Sequence, residues 1–201
     1  MSAVADTRGR VLRAAMTLFA ERGYAATTTR ALAEAAGVNE VTLFRHFGSK
    51  LGVLQALGEL FAEKSLAQAL DELPDPEDAR GTLLALARRE IAESIENGGV
   101  ALRLAFDATS VPELKGLMSE GPGHNFEVLT AYMADRQLAG QLRDDIDAAV
   151  LAEAFATLTS SYVMYRMIMG VMDAPDDPIT DSRIEQLFDL FWSGAVSRAA
   201  E

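Results

Sequence analysis

Apolar residues recur every three to four positions along almost the whole chain. No stretch alternates apolar and polar residues between turn signals as a strand does. That pattern predicts an all-α fold. A first helix over about 7–22 carries Val11, Leu12, Ala15, Leu18 and Phe19 on one stripe, with Gly23 as its left-handed stop. A short helix over about 29–36 ends at Gly37, and a third, capped by Asn39, closes near Phe47. Ser49 caps a fourth that reaches about Leu70. The segment Leu73-Pro74-Asp75-Pro76 breaks the pattern, because each proline pushes its predecessor out of helical geometry.

A fifth helix over about 77–97 places Leu83, Leu84, Ala87, Ile91 and Ile95 at helical spacing and stops at Gly98-Gly99. A sixth spans about 100–108. Bends are expected at Val111-Pro112 and again at Gly121-Pro122-Gly123, ahead of a seventh helix carrying Phe126, Leu129, Tyr132 and Met133. From about Ile146 to Met172 the only charges between Asp147 and Asp173 are Glu153 and Arg166, the pattern of a helix buried all round. The last helix, about 181–196, repeats this with Ile184, Leu187, Phe188, Leu190, Phe191 and Trp192. Two adjacent helices this apolar hide one face in their own core and another in a partner. A homodimer is therefore expected, with Phe155, Tyr162, Ile184, Phe188, Phe191 and Trp192 at its interface.

The chain has no cysteine, which excludes disulfides and thiolate metal sites and suits a reducing cytoplasm. It begins with no secretory pattern, and no run reaches the roughly 18 uncharged apolar residues of a membrane span. A net charge of -12 would repel nucleic acid, but the average hides an asymmetry. Residues 1–50 carry seven basic side chains against four acidic ones, a net of +3, so the remainder of the -12 total is -15. A small basic head on an acidic body suits phosphate contact confined to the head; chance scatter over a solvated surface would give the same count.

The informative stretch runs from Thr28 to Phe47 and reads as two short helices joined by a glycine turn. Ala33 is small where the helices cross, Gly37 permits positive φ, and Val38, Leu43 and Phe47 anchor the second helix from beneath. Asn39, Glu40, Thr42, Arg45 and His46 then project from a helix thin enough to enter a major groove. Thr28, Ala35-Ala36-Gly37-Val38, Leu43-Phe44-Arg45-His46-Phe47 and Ser49-Lys50 together resemble the N-terminal DNA-binding domain of the TetR family of bacterial repressors, over about residues 7–57. The resemblance implies a helix-turn-helix DNA-binding domain over 1–50. The remaining 51–201 would form a helical ligand-binding and dimerisation domain, with the last two helices at the dimer interface and a ligand cavity within helices five to eight. Its DNA contacts would fall on Thr28, Thr29, Arg30, Asn39, Glu40, Val41, Thr42, Phe44, Arg45, His46 and Lys50.

Departures from the family pattern change what these residues can do. Phe44 stands where Tyr is usual, so a phenol contact to phosphate is missing while the ring's packing role survives. Ala31 cannot complete a capping box with Thr28. Glu40 either accepts from a cytosine amino group or favours the positive end of the recognition helix. Arg45 and Lys50 are read as guanine or phosphate ligands rather than solvated charges.

The irregular region around Val111-Pro112 and Gly121-Pro122-Gly123 gathers Phe106, Met118, His124, Phe126, Tyr132, Tyr162 and Tyr165, a mixture of aromatic surface and polar tips that suits a small, mostly apolar ligand or a plain core. The acidic body disfavours a large anionic ligand. Met164, Met167, Met169 and Met172 read as core. No glycine-rich phosphate loop is present, and the two histidines, His46 and His124, stand too far apart for a metal or nucleophile constellation. Neither a cofactor nor a metal is expected, and the reading is a ligand-responsive regulator on a palindromic operator. A helical small-molecule or lipid-binding protein without DNA contact, and an enzyme built on paired carboxylates, are the competing classes.

Overall fold

A computed structural model describes residues 3–62, 66–72, 77–168 and 181–197. The helices are α1 Ala3–Ala26, α2 Thr29–Ala35, α3 Glu40–Phe47, α4 Lys50–Ala62 and α5 Leu66–Asp71. They continue with α6 Ala79–Glu96, α7 Val100–Asp107, α8 Pro112–Leu138, α9 Ala148–Val163 and α10 Asp181–Ala195. A π-helical turn, Met164–Ile168, extends α9. No strand occurs among the described residues, where Leu142 and Val196 form one isolated antiparallel bridge. The all-α expectation holds.

Most boundaries fall where the local chemistry sets them. The regular helix of α1 is interrupted at Gly23 (φ 78°), the residue expected to end it. Ser49 Oγ accepts the Gly52 N–H at 2.9 Å and caps α4. Pro112 opens α8, where a missing N–H costs nothing. Where a bend is expected at Gly121-Pro122-Gly123, α8 is continuous. Proline's fixed φ is compatible with helix, so Pro122 removes one backbone hydrogen bond without ending the element. Leu73-Pro74-Asp75-Pro76 and residues 169–180, which include Met169 and Met172, lie outside the described residues.

The chain divides into two compact units, Met1–Lys64 with Glu96–Gly121, and Ser65–Ile95 with Pro122–Glu201. In the first, Phe19, Leu32, Leu43, Val53, Leu57 and Leu114 form a core to which α7 adds Val100 and Leu104. A Cβ at Gly52 would lie 1.9 Å from the Phe47 carbonyl oxygen, so only glycine lets α4 start this close to the end of α3. In the second unit the core is built on Leu83, Met133, Leu142, Ala152, Phe155 and Phe188. α9 is not buried all round: Val150 is 52% exposed, and Glu153, Ala154 and Thr157 are open too.

Candidate nucleic-acid interface

The first unit builds a helix-turn-helix from α2 and α3. Thr28 Oγ1 accepts the Ala31 N–H at 3.1 Å, a one-way cap, and Asn39 Oδ1 accepts the Thr42 N–H at 2.7 Å. Gly37 (φ 64°) makes the turn between them. Arg10 on α1 donates to the Ala36 and Gly37 carbonyls at 3.2 and 3.4 Å and fixes that turn from the side. Beneath α3, Leu43 and Phe47 are buried in the core. Their burial fixes which face of α3 remains open. That face carries Val41 (77% exposed), Phe44 (46% exposed) and Arg45, flanked by half-buried Thr42 and His46.

The residues expected to meet DNA differ in what they do in the fold. Val41, Phe44 and Arg45 lie on the open face, and Arg45 makes no hydrogen bond or ion pair among the described residues. Thr28 and Asn39 serve as caps, and Arg30 is exposed in an ion pair with Glu34 at 2.9 Å. Thr29 and Glu40 hold each other. The Thr29 hydroxyl donates to Glu40 Oε1 at 2.7 Å and ties the start of α2 to the start of α3.

Lys50 is turned inward. Its ammonium donates to the Tyr24 carbonyl at 2.7 Å and the Thr27 carbonyl at 2.8 Å, above the Tyr24 ring at 4.1 Å. Burial lowers its pKa, opposed by the Glu113 and Asp107 carboxylates. Asp107 in turn accepts the Tyr24 N–H. Sequence reading missed Arg10 and Asp107, which act on the turns before α2 and α3 from distant positions in the chain. Lys50→Met leaves two backbone carbonyls without their cation and is expected to cost about 1–3 kcal/mol. Thermal unfolding checks this: a melting point equal to that of wild type would contradict the inward role.

The ligand residues expected from sequence belong to different units and differ in burial. Phe106 belongs to the first unit and is 49% exposed. His124, Phe126 and Tyr165 are exposed, and Tyr132 is half-buried with the Arg136 guanidinium on its ring. The side chain of Met118 lies outside the described residues. Tyr162 alone of this group lines the cleft that α6, α9 and α10 form within the second unit. Of the expected interface residues, Phe155, Tyr162, Ile184 and Phe188 are buried in their own chain, whereas Phe191 and Trp192 are half-buried. Exposed Leu190 was not among them.

With this geometry in place, comparison with known proteins is decisive. Residues 11–57 match the model of the bacterial regulatory proteins of the tetR family, and residues 81–193 match that of the AefR-like transcriptional repressor C-terminal domain. The chain belongs to the TetR family. It is a transcriptional regulator, not an enzyme. It is 27% identical over 178 residues to YvkB, an HTH-type transcriptional regulator of Bacillus subtilis, covering 87% of this chain and 92% of that one. It is 26% identical over 158 residues to the repressor AcnR of Corynebacterium efficiens, covering 79% and 80%. A transcriptional regulator from Saccharomonospora viridis, solved with choline, shares the fold at a TM-score of 0.76 and 21% identity, covering 96% of this chain and 100% of that one.

Proposed function

We propose that this TetR-family regulator works as a homodimeric repressor. Each protomer lays α3 in the major groove of one half of an inverted-repeat operator, and a small effector entering the second unit releases it. The observation that carries this reading is the open face of α3. Val41, Phe44 and Arg45 project from a helix whose other side is locked by Leu43 and Phe47 and whose ends are capped. A buried face and a cap would serve any helix, but an uncommitted arginine beside an apolar pair suits base edges and thymine methyls. The +3 head supplies attraction to phosphate.

The dimer face we assign to the uncharged stripes that α9 and α10 leave open, Val150, Ala154 and Thr157 on the one and Leu190 on the other. Effector release follows the covalent path of the chain. α6 walls the cleft with Ala87 and Ile91, and after Gly98-Gly99 it continues into α7, whose Asp107 grips the turn before α2. Moving α6 therefore strains the helix-turn-helix. A ligand shifts this equilibrium only by its preference for the released state, and the operator must weaken the ligand by the same factor. The choline bound by the Saccharomonospora viridis relative and the repressor role of AcnR support this reading. It places the protein in the cytoplasm with its DNA; no described helix is long and apolar enough to cross a membrane.

The test is selection of duplexes from a random pool by the purified protein. The reading requires enrichment of an inverted repeat with half-sites about one helical turn apart. A pool that stays random after several rounds overturns it.

A further inference from the structure

Of the four large apolar side chains of α3, two serve the core of the first unit: Leu43 is 0% exposed and Phe47 9% exposed. Val41 is 77% exposed and Phe44 46% exposed. Valine is a poorer helix former than alanine, lysine or glutamate, because branching at Cβ freezes its side chain against the preceding turn. At position 41 its methyl groups also face water. Neither helix propensity nor burial in the protomer accounts for a valine at the most open place on α3.

Val41, Phe44 and Arg45 stand at i, i+3 and i+4, so they share one face, with Val41 in the first turn of the helix. The first turn of a recognition helix is the part that meets base edges. Glu40, the one carboxylate of α3, is held at the start of the helix by the Thr29 hydroxyl at 2.7 Å, and the Asn39 side chain is engaged as the cap. Val41 is thus the residue of the first turn that is both fully presented and free of a structural task. A hydrocarbon side chain can read only a hydrocarbon group, and in the major groove thymine alone of the four bases presents a methyl.

We infer that Val41 is a specificity-determining residue that reads the 5-methyl group of one thymine in each half-site. The Phe44 ring lies beside the contact and keeps water from it. Four residues of helix rise by roughly 6 Å, close to two base-pair steps, which sets this thymine about two base pairs from the base met by Arg45. This deepens the proposed recognition of DNA by α3 and rests on it.

The probe is the selected inverted repeat with its half-site thymines replaced, one symmetric pair at a time, by deoxyuridine, which removes the methyl and leaves base pairing intact. Loss of one buried methyl-sized group is expected to weaken binding about fourfold per half-site, and about fifteenfold for the pair. One pair is expected to show this loss, within about three base pairs of the base pair at which Arg45→Ala relaxes preference. Val41→Ser is expected to melt with wild type and to bind the thymine and deoxyuridine duplexes within about twofold of each other, whereas Arg45→Ala binds both more weakly and keeps the difference. A repeat in which no replacement weakens binding by more than about twofold overturns the inference. So does discrimination that persists in Val41→Ser, or that persists there and disappears in Phe44→Ala. Each of these results leaves the selected repeat, and with it the proposed function, standing; a pool that yields no repeat defeats both.

Discussion

Arg45→Ala is expected to weaken operator binding by roughly 30-fold to 10⁴-fold. Arg45 projects from the open face of α3 with no partner in its own chain among the described residues, so DNA competes with nothing but water for its guanidinium. A bidentate contact to guanine is worth about 1–3 kcal/mol, and a dimer on two half-sites loses it twice. The substitution touches no buried group, so the melting temperature is expected to stay near that of wild type. Fluorescence anisotropy against the selected duplex and its single-base variants reads both effects. Preference at one base pair in each half-site is expected to relax, while the others persist. Unchanged affinity would remove Arg45 from the interface.

The second large effect separates core from interface. Phe188 is 0% exposed and packs against Phe191 and Trp192 at ring-centre distances of 6.1 and 6.2 Å. Phe188→Ala is expected to cost about 3–5 kcal/mol and to lower the melting temperature by roughly 6–20 °C. Leu190, two residues on, is 75% exposed. Leu190→Glu is expected to leave the protomer folded and to yield monomers, because a charge buried against a partner without a counter-ion costs several kcal/mol. Sedimentation velocity with circular dichroism distinguishes the two variants. A Leu190→Glu protein that remains dimeric would move the interface off this face.

That pair also shows where sequence reading stops. Phe188 and Leu190 are both large, apolar and on the same helix, so hydrophobicity assigns both to some buried surface without saying whose. Only the packing of α10 on α9 separates them. Chain-local features were legible. The Thr28 and Asn39 caps, the Gly37 turn and the buried Leu43 and Phe47 depend on neighbours a few residues away, and the helix-turn-helix came out as expected. Lys50 was placed on DNA because its sequence neighbours suggest it, yet its partners Tyr24 and Thr27 lie 26 and 23 residues earlier. Arg10 and Asp107 escaped for the same reason. Gly121-Pro122-Gly123 was expected to bend because its composition does so in isolation, whereas in the folded chain α8 continues across it. The hydrogen bond from Thr159 to Glu90 joins residues 69 positions apart, with no local motif to announce it.

The function proposed for this protein is to read a specific DNA sequence through α3. The most direct measurement is the ratio of its affinities, at one physiological salt concentration, for the selected inverted repeat and for a scrambled duplex of equal length and composition. The account predicts a ratio of roughly a thousandfold or more, with both affinities falling as salt rises. Equal affinity for the two duplexes would contradict it.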